Sequence, residues 1–241
     1  MALHGGTAPR PGAFIFDLDG TLVDSRQDIA AAANVARAAV GLGPLGEPVL
    51  RAYVGDGVAL LLRRALGHDA AAGSLAEERD PRLAPALAAY LDHYGRHLLD
   101  HTRPYAGVPE MLARLPCVPL AVATNKPGGF SRTILAGLGL AGCFRVVIGS
   151  DEVPARKPDP AHLRACLAGL DVAPAAVVVV GDSRNDILAA QALGAVAVAC
   201  AWGLEPAADL RALGPDHLLE SPLELAALYA TGDAGAPEAS T

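Results

Sequence analysis

The sequence predicts an α/β protein: a parallel, Rossmann-like sheet core with an all-helical segment inserted between strand one and strand two. Five short, continuous apolar runs have the length of strands that are covered on both faces: 13–16, 120–123, 146–148, 177–180 and 196–199. A segment with helical periodicity precedes each of the last four runs, at 107–115, 130–138, 160–170 and 185–193. Strands that alternate with helices are typical of a parallel sheet with right-handed crossovers.

The first crossover is far too long for a single helix. Roughly a hundred residues separate the first two predicted strands, whereas a simple crossover needs about a dozen. This stretch contains three segments of helical period, at 28–40, 58–66 and 81–99, and no convincing strand. We therefore predict a discontinuous core domain (11–25 and 101–230), a helical cap (26–100) and flexible tails (1–10 and 231–241).

Composition and charge exclude several classes of protein. Of the 241 residues, 52% are hydrophobic and 19% are charged, which excludes general disorder. The net charge of −7 and the lack of a basic cluster argue against nucleic acid and anionic membranes as partners. No apolar run is long enough to span a bilayer, and residues 1–10 do not resemble a signal peptide. Four scattered cysteines are predicted to be reduced core residues of a cytoplasmic protein: Cys117, Cys143, Cys166 and Cys200.

The first candidate site residues follow the first strand. Asp17 comes directly after the apolar run, Asp19 lies two positions later, and Gly20 with Thr21 permits a sharp turn. Ligands of parallel sheets bind beyond the carboxyl ends of the strands, so both carboxylates are expected at the site. Such a pair suits a nucleophile and a general acid/base. The alternatives are an ordinary Asp-Gly turn and part of a calcium-binding loop.

A second acidic pair follows the fourth strand. Asp182 lies where this Val-rich strand ends, and Asp186 lies about one helical turn later, so both carboxylates can face one point. Together with Asp17 they predict a Mg²⁺ site that also takes a phosphate oxygen. Capping of the following helix by Asp182 or Ser183 is the alternative interpretation, and it is compatible with metal binding.

Two further loops carry polar residues. Thr124 and Asn125 follow the second strand near a helix start, where backbone N–H groups bind anions. Lys157 lies in a proline-stiffened loop, which would hold its ammonium group against a phosphate or a carboxylate. Of the 19 basic residues only Lys126 and Lys157 are lysines, and both lie beside prolines. An ordinary helix start with an exposed lysine is the alternative for each loop.

These four motifs, in this order, resemble those of the haloacid dehalogenase superfamily of aspartate-nucleophile phosphatases, and the resemblance covers residues 13–228. It implies that Asp17 attacks phosphorus and that Asp19 acts as general acid and then as general base. It implies that the long insert is the helical cap of this superfamily. The implied binding groups are the Asp17 carboxylate, the Asp19 carbonyl and Asp182 for Mg²⁺, Thr124, Asn125 and Lys157 for the phosphoryl group, and Asp186 as an orienting residue.

Within the superfamily, the segments 53–57, 103–107 and 181–186 are most similar to the bacterial phosphoglycolate phosphatases. The resemblance implies a small phosphorylated metabolite as substrate, and a monomer or homodimer. The chain departs from that group at Asp56, where Asn is frequent, and so adds a negative charge. The alternatives are a phosphatase for another small phosphoester or pyrophosphate, a phosphosugar mutase, and a non-enzymatic receiver-like phosphate acceptor.

The cap is expected to supply the partner of a substrate carboxylate. The candidates are the amides of the 53–57 loop, Arg51 and Arg64, with a solvated surface position as the favoured alternative for each arginine. Three histidines spaced four apart, His93, His97 and His101, are an alternative site for a transition metal. No acidic or cysteine partner lies in register with them, so a packed or solvated helix face is the favoured interpretation.

Overall fold

The computed structural model describes residues 10–68 and 80–230. Its strands are β1 (Ala13–Phe16), β2 (Val23–Asp24), β3 (Arg103–Pro104), β4 (Leu120–Ala123), β5 (Val146–Ile148), β6 (Val177–Gly181), β7 (Val196–Cys200) and β8 (His217–Leu219). Six of them form one sheet in the order β5-β4-β1-β6-β7-β8, and every neighbouring pair in it is parallel. The predicted α/β class with a parallel sheet is confirmed.

Ten α-helices accompany these strands in the described residues. They are α1 (Arg26–Ala39), α2 (Glu47–Arg51), α3 (Val58–Ala65), α4 (Leu83–Arg96), α5 (Val108–Arg114), α6 (Gly128–Gly137), α7 (Ala161–Leu170), α8 (Arg184–Leu193), α9 (Ala207–Ala212) and α10 (Pro222–Leu228). The helices α1 to α4 lie between β2 and β3, where the long insert was predicted. We refer to residues 26–100, as far as they are described, as the helical segment.

The central strand β1 is buried on both faces because helices cover both sides of the sheet. Successive side chains of a strand point to opposite faces. Phe14 and Phe16 therefore belong to one apolar core, whereas Ala13 and Ile15 belong to the other. All four are 0% exposed, which explains why the strand is continuously apolar. Because β1 lies between β4 and β6, Asp17, which follows it, lies in the middle of the edge formed by the carboxyl ends of the strands.

Several short elements were not predicted. They are α2, α9, α10, β8 and the two-residue antiparallel pair of β2 and β3. Each is too short to show a periodic pattern above its surroundings, and β2 pairs with β3 only because the chain returns beside it. The five predicted strands agree with the structure to within one residue at each end.

A buried carboxylate ties α1 to the chain segment that returns to the sheet. Asp28 is 2% exposed and accepts hydrogen bonds from the backbone N–H groups of His101 and Thr102, the Thr102 hydroxyl and the His101 ring. Burial alone would raise the pKa of Asp28, but the hydrogen bonds from Thr102 and His101 outweigh burial and lower it. The ionised carboxylate therefore stabilises the junction between the helical segment and β3.

Replacement of Asp28 tests this junction. We expect Asp28→Ala to lower the free energy of unfolding by about 2–4 kcal/mol, since it leaves buried donors without an acceptor. Asp28→Asn should lower the free energy of unfolding by less than Asp28→Ala does, because its amide oxygen can still accept a hydrogen bond. Because the folded-state pKa is lowered, the stabilisation by the charge is complete above the ordinary pKa of 3.8 and is lost as the pH falls below it. Urea unfolding at neutral and acidic pH measures both effects, with the exposed Asp92→Ala as control. An equal loss for both Ala variants would contradict the assignment.

The cysteine prediction is half wrong. Cys166 and Cys200 are buried, but Cys117 and Cys143 are exposed, because each lies in a connection rather than on a face that packs against the sheet. All four are free thiols. The predicted tails at 1–10 and 231–241 lie outside the described residues, except for Arg10. Among the helices that the structure describes, none combines the length and the apolar character needed to cross a membrane.

Candidate active site

Three carboxylates meet at the carboxyl ends of β1 and β6. Asp17 directly follows β1, and its backbone N–H donates to the Val180 carbonyl at 2.9 Å, which continues the pairing of the two strands. Asp17, Asp182 and Asp186 each place a carboxylate oxygen within 4.8 Å of the others. No other group of three acidic, histidine or cysteine residues in the described part of the chain does so.

Asp182 is held rigidly by its surroundings. Its two oxygens accept hydrogen bonds from the Thr21 hydroxyl at 3.0 Å and from the Leu204 N–H at 2.7 Å. Glycines close the space around it: a Cβ at Gly20 would lie 2.0 Å from Asp182 Oδ2, and a Cβ at Gly203 would lie 2.1 Å from Asp182 Cβ. Gly20 also has a φ of +89°, which a side chain would strain. The turn after β1 therefore requires glycine to admit Asp182.

Asp186 connects the start of α8 to Lys157. One of its oxygens accepts from the Ser183 backbone N–H at 3.1 Å and from the Ser183 hydroxyl at 2.5 Å. Its other oxygen accepts from Lys157 Nζ at 2.6 Å. This carboxylate combines the capping interaction expected of a helix start with an ion pair to the site lysine. The capping predicted for Ser183 is thus made with Asp186 as its partner, and Asp186 also lies beside Asp17 and Lys157.

Lys157 lies among three oxygen atoms with its side chain buried. Besides Asp186, its Nζ donates to the Ala123 carbonyl at 2.6 Å and lies 3.0 Å from Asp17 Oδ1, without the alignment of a hydrogen bond. Burial would lower the pKa of Lys157, but the Asp17 and Asp186 carboxylates outweigh burial and raise it. Lys157 is therefore a fixed positive charge beside Asp17.

The two polar side chains after β4, Thr124 and Asn125, have different hydrogen-bond partners. Thr124 is 1% exposed, and its Oγ1 accepts from the Lys126 N–H at 3.2 Å. The Asn125 amide donates to the carbonyls of Gly55 at 2.9 Å and Lys157 at 3.1 Å, and it accepts from the Lys157 N–H at 3.1 Å. Its polar atoms are thus engaged by backbone of the helical segment and of the Lys157 loop. Contacts of Thr124 and Asn125 with phosphoryl oxygens stay predictions.

Lys126 is a site residue that sequence reasoning did not include in the site. Its ammonium group lies 2.7 Å from Asp19 Oδ2 and 4.8 Å from the centre of the Tyr94 ring. Ser25 donates to the other oxygen of Asp19 at 2.5 Å. Lys126 is only 8% exposed. The signal that could have found it is its rarity, since it and Lys157 are the only lysines of the chain.

A loop of the helical segment, residues 53–57, lies against the site; we call it the docking loop. Besides the Gly55 contact with Asn125, its Asp56 accepts from Asn185 Nδ2 at 2.8 Å. The other oxygen of Asp56 lies 2.7 Å from Arg64 Nη1. The extra negative charge expected at Asp56 is therefore paired rather than directed at a ligand.

The two arginines proposed from the sequence for a substrate carboxylate lie elsewhere. Arg64 pairs with Asp56, and Arg51 donates to the carbonyls of Gly203 at 3.4 Å and Leu204 at 3.3 Å. Both line an outer groove between the helical segment and the sheet, and neither lines the cavity at Asp17 and Asp19. The expected role of Arg51 and Arg64 is therefore not supported by their position.

The histidines do not form a metal cluster in the described residues. The rings of His93 and His97 stack at 4.3 Å, and His97 Nδ1 contacts Asp100 Oδ2 at 2.8 Å. His101 lies beyond the end of α4 and contacts Asp28. The helical spacing that would align the three histidines is broken because α4 ends before the third of them.

The donor set at the site fits a divalent cation. Burial raises the pKa of Asp182 well above its ordinary value, and repulsion by Asp17 and Asp186 raises it further. Such carboxylates need a compensating positive charge to stay ionised, and oxygen-only donors suit hard ions such as Mg²⁺. The Asp19 carbonyl accepts none of the backbone hydrogen bonds among the described residues outside helices and strands. The clustered Asp17 and Asp182 carboxylates could therefore hold the metal, and the Asp19 carbonyl stays a predicted ligand.

Comparison with known proteins agrees with this arrangement. The family model described as haloacid dehalogenase-like hydrolase matches residues 14–200. The chain is 38% identical over 222 residues to the phosphoglycolate phosphatase of Chromobacterium violaceum, covering 91% of this chain and 97% of that protein. It is 42% identical over 209 residues to the phosphoglycolate phosphatase of Rhodospirillum rubrum, covering 84% and 86%.

A solved structure has the same fold. The crystal structure of a predicted phosphoglycolate phosphatase from Haemophilus somnus superposes with a TM-score of 0.78 at 28% identity, covering 89% of this chain and 96% of that one. The matched family region contains all four sequence motifs, from Asp17 to Asp186. The resemblance stated from the motifs is confirmed: the chain is an enzyme that belongs to the family of haloacid dehalogenase-like hydrolases.

Proposed function

We propose that the chain is a Mg²⁺-dependent phosphomonoester hydrolase that converts 2-phosphoglycolate to glycolate and phosphate through an aspartyl-phosphate. The observation that carries this proposal is the buried Asp17 carboxylate, which lies 3.0 Å from Lys157 Nζ and within 4.8 Å of the Asp182 and Asp186 carboxylates. Several relatives over most of the chain are named phosphoglycolate phosphatase, which supports the choice of substrate.

Asp17 is the nucleophile in this proposal. A carboxylate oxygen of Asp17 forms a bond to phosphorus while the bond from phosphorus to the ester oxygen breaks. Asp19, which Ser25 and Lys126 hold in place, donates a proton to the departing alkoxide oxygen. Asp19 then takes a proton from the water that attacks the aspartyl-phosphate, so that Asp17 is regenerated and phosphate is released.

Positive charge makes the attack feasible because an anionic carboxylate must approach an anionic phosphate. Lys157 supplies one fixed charge, oriented by Asp186 and the Ala123 carbonyl. Asp17, the Asp19 carbonyl and Asp182 would hold Mg²⁺, which would supply Lewis-acid neutralisation of phosphoryl charge. Thr124 and backbone N–H groups near α6 hold phosphoryl oxygens.

Asn125 acts as a positioning residue in this proposal. It connects the docking loop to the Lys157 loop by hydrogen bonds to Gly55 and Lys157. Residues 26–100 then act as a cap on a core of 11–25 and 101–230, and closure of the docking loop excludes bulk water. The proposal also includes a cytoplasmic location, a small phosphorylated metabolite as partner with neither nucleic acid nor membrane, and a monomer or homodimer.

The test is phosphate release from a panel of small phosphomonoesters, with and without Mg²⁺. We expect continuous turnover that needs Mg²⁺, with the highest kcat/KM on 2-phosphoglycolate. Better turnover of pyrophosphate or of another phosphoester would change the substrate and keep the reaction class. A receiver-like acceptor would instead take up phosphate once per chain and release none. That result would contradict the hydrolase proposal.

A further inference from the structure

The cavity at Asp17 and Asp19 has apolar walls on the side away from the sheet. Its volume is about 50 Å³, room for roughly three or four waters. The helical segment contributes most of the wall, and side chains on α1, α3, α4 and α6 close it: Ile29, Val58, Leu61, Leu91 and Phe130. A cavity of this size favours a small leaving group over a sugar ring.

Lys126 is the one cationic residue among the described residues that line this cavity. An ammonium group has three donors, and Asp19 Oδ2 at 2.7 Å accounts for one of them. Tyr94 lines the same cavity, is 1% exposed, and has a hydroxyl without a hydrogen-bond partner in the described structure. The cavity therefore offers the Lys126 ammonium group, with two donors left, to an anion, and the Tyr94 ring as part of its wall.

We propose that Lys126 binds the carboxylate of the leaving group and so determines the specificity of the enzyme for an anionic, two-carbon leaving group. This inference rests on the proposed hydrolase function. In 2-phosphoglycolate a single CH₂ group separates the ester oxygen from the carboxylate. If Asp19 protonates the ester oxygen, a carboxylate one carbon away comes within reach of the ammonium group beside Asp19. The apolar walls strengthen this ion pair because they exclude water.

The position of Lys126 explains why neither Arg51 nor Arg64 is needed for this role. Lys126 comes from the loop after β4, which also carries Thr124, so phosphoryl group and leaving group are bound by one loop of the core. The Tyr94 ring 4.8 Å from Nζ supports the ammonium group within the apolar cavity. The helical segment then provides the apolar wall that limits the size of the leaving group, and the loop after β4 provides the positive charge that binds its carboxylate.

The test compares two substrates of matched size in Lys126→Met. They are 2-phosphoglycolate and 2-hydroxyethyl phosphate, which replaces the carboxylate with a neutral alcohol. We expect kcat/KM for 2-phosphoglycolate to fall about ten- to a hundredfold, the value of one charge-assisted hydrogen bond, mainly through KM. Because Lys126 also holds Asp19, kcat/KM for 2-hydroxyethyl phosphate should fall as well, but by a factor at least about ten times smaller, so that the preference for 2-phosphoglycolate falls about tenfold or more. Inhibition by free glycolate should weaken in parallel.

Control variants separate the outcomes. Lys126→Arg keeps the charge and should preserve the preference for 2-phosphoglycolate, and Arg64→Met, outside the cavity, should leave the ratio of the two substrates unchanged. An equal loss on both substrates in Lys126→Met would overturn the inference, since Lys126 would then act only through Asp19. If Lys126→Met does not fold, a wild-type preference below about threefold overturns it. Absence of turnover on every phosphomonoester in the wild type would instead contradict the proposed function.

Discussion

Asp17→Asn is expected to lower kcat by at least about 10⁴-fold, a loss of the size seen when a covalent nucleophile is removed. The amide keeps the shape of the carboxylate but is a far poorer nucleophile toward phosphorus. The hydroxylamine-sensitive phosphoenzyme that the wild type forms should also disappear. Rapid quench with labelled substrate measures the phosphoenzyme, and steady-state phosphate release measures kcat.

The fold should survive this substitution. Lys157 retains Asp186 and the Ala123 carbonyl as partners, and one of three mutually repelling buried carboxylates is removed. We expect the Tm of Asp17→Asn to equal or exceed that of the wild type. Asp151→Asn is the matched control, because Asp151 follows β5 at the same sheet edge but is exposed. Turnover in Asp17→Asn above about one tenth of the wild-type rate would remove Asp17 from its role.

Removal of the metal is expected to reduce activity at least about a hundredfold, because the ion supplies several kcal/mol of charge stabilisation. Excess EDTA should silence the enzyme, and added Mg²⁺ should restore it. Asp182→Asn should raise the Mg²⁺ concentration for half-activation by at least about a hundredfold, since even groups behind the metal ligands change affinity by 10–100-fold. Full activity in excess EDTA would contradict the proposed requirement for Mg²⁺.

A readout without turnover makes this test independent of catalysis. Mg²⁺ that binds the folded state raises the free energy of unfolding with the logarithm of its concentration once that exceeds Kd, so the Tm of the wild type should rise on addition of Mg²⁺. Asp182→Asn should lose this stabilisation at the same Mg²⁺ concentration. Asp209→Asn, on the exposed first turn of α9, serves as control and should keep it. A Tm rise in Asp182→Asn as large as in wild type would show that Asp182 is not a ligand.

The sequence predicted correctly the position of the acidic residues that directly follow a strand. The β1 run is apolar throughout because both faces are covered, so its end, and with it Asp17, was recognisable. Asp182 was recognisable in the same way after β6. Parallel strands bring their carboxyl ends to one edge, and therefore the two acids could be placed together without a structure. Asp186 follows because four residues span about one helical turn.

Contacts between distant parts of the chain were beyond that reasoning. Asn125 follows a strand as a site residue would, yet its amide donates a hydrogen bond to the carbonyl of Gly55, seventy positions earlier in the chain. Asp28 meets His101 and Thr102 in the same way, and no local pattern indicates either pairing. Short elements such as β2 and β3 form only because the chain returns beside them.

The sequence by itself determined the fold class, the helical insertion and the acids at the strand ends, because strand burial and helix period are local properties of the chain. The tertiary structure alone decided that Lys126 reaches Asp19 and that Arg51 and Arg64 face an outer groove. A side chain's partner depends on how the helical segment packs on the sheet edge. That packing sums many weak contacts between residues far apart in sequence, and no single stretch of sequence encodes it.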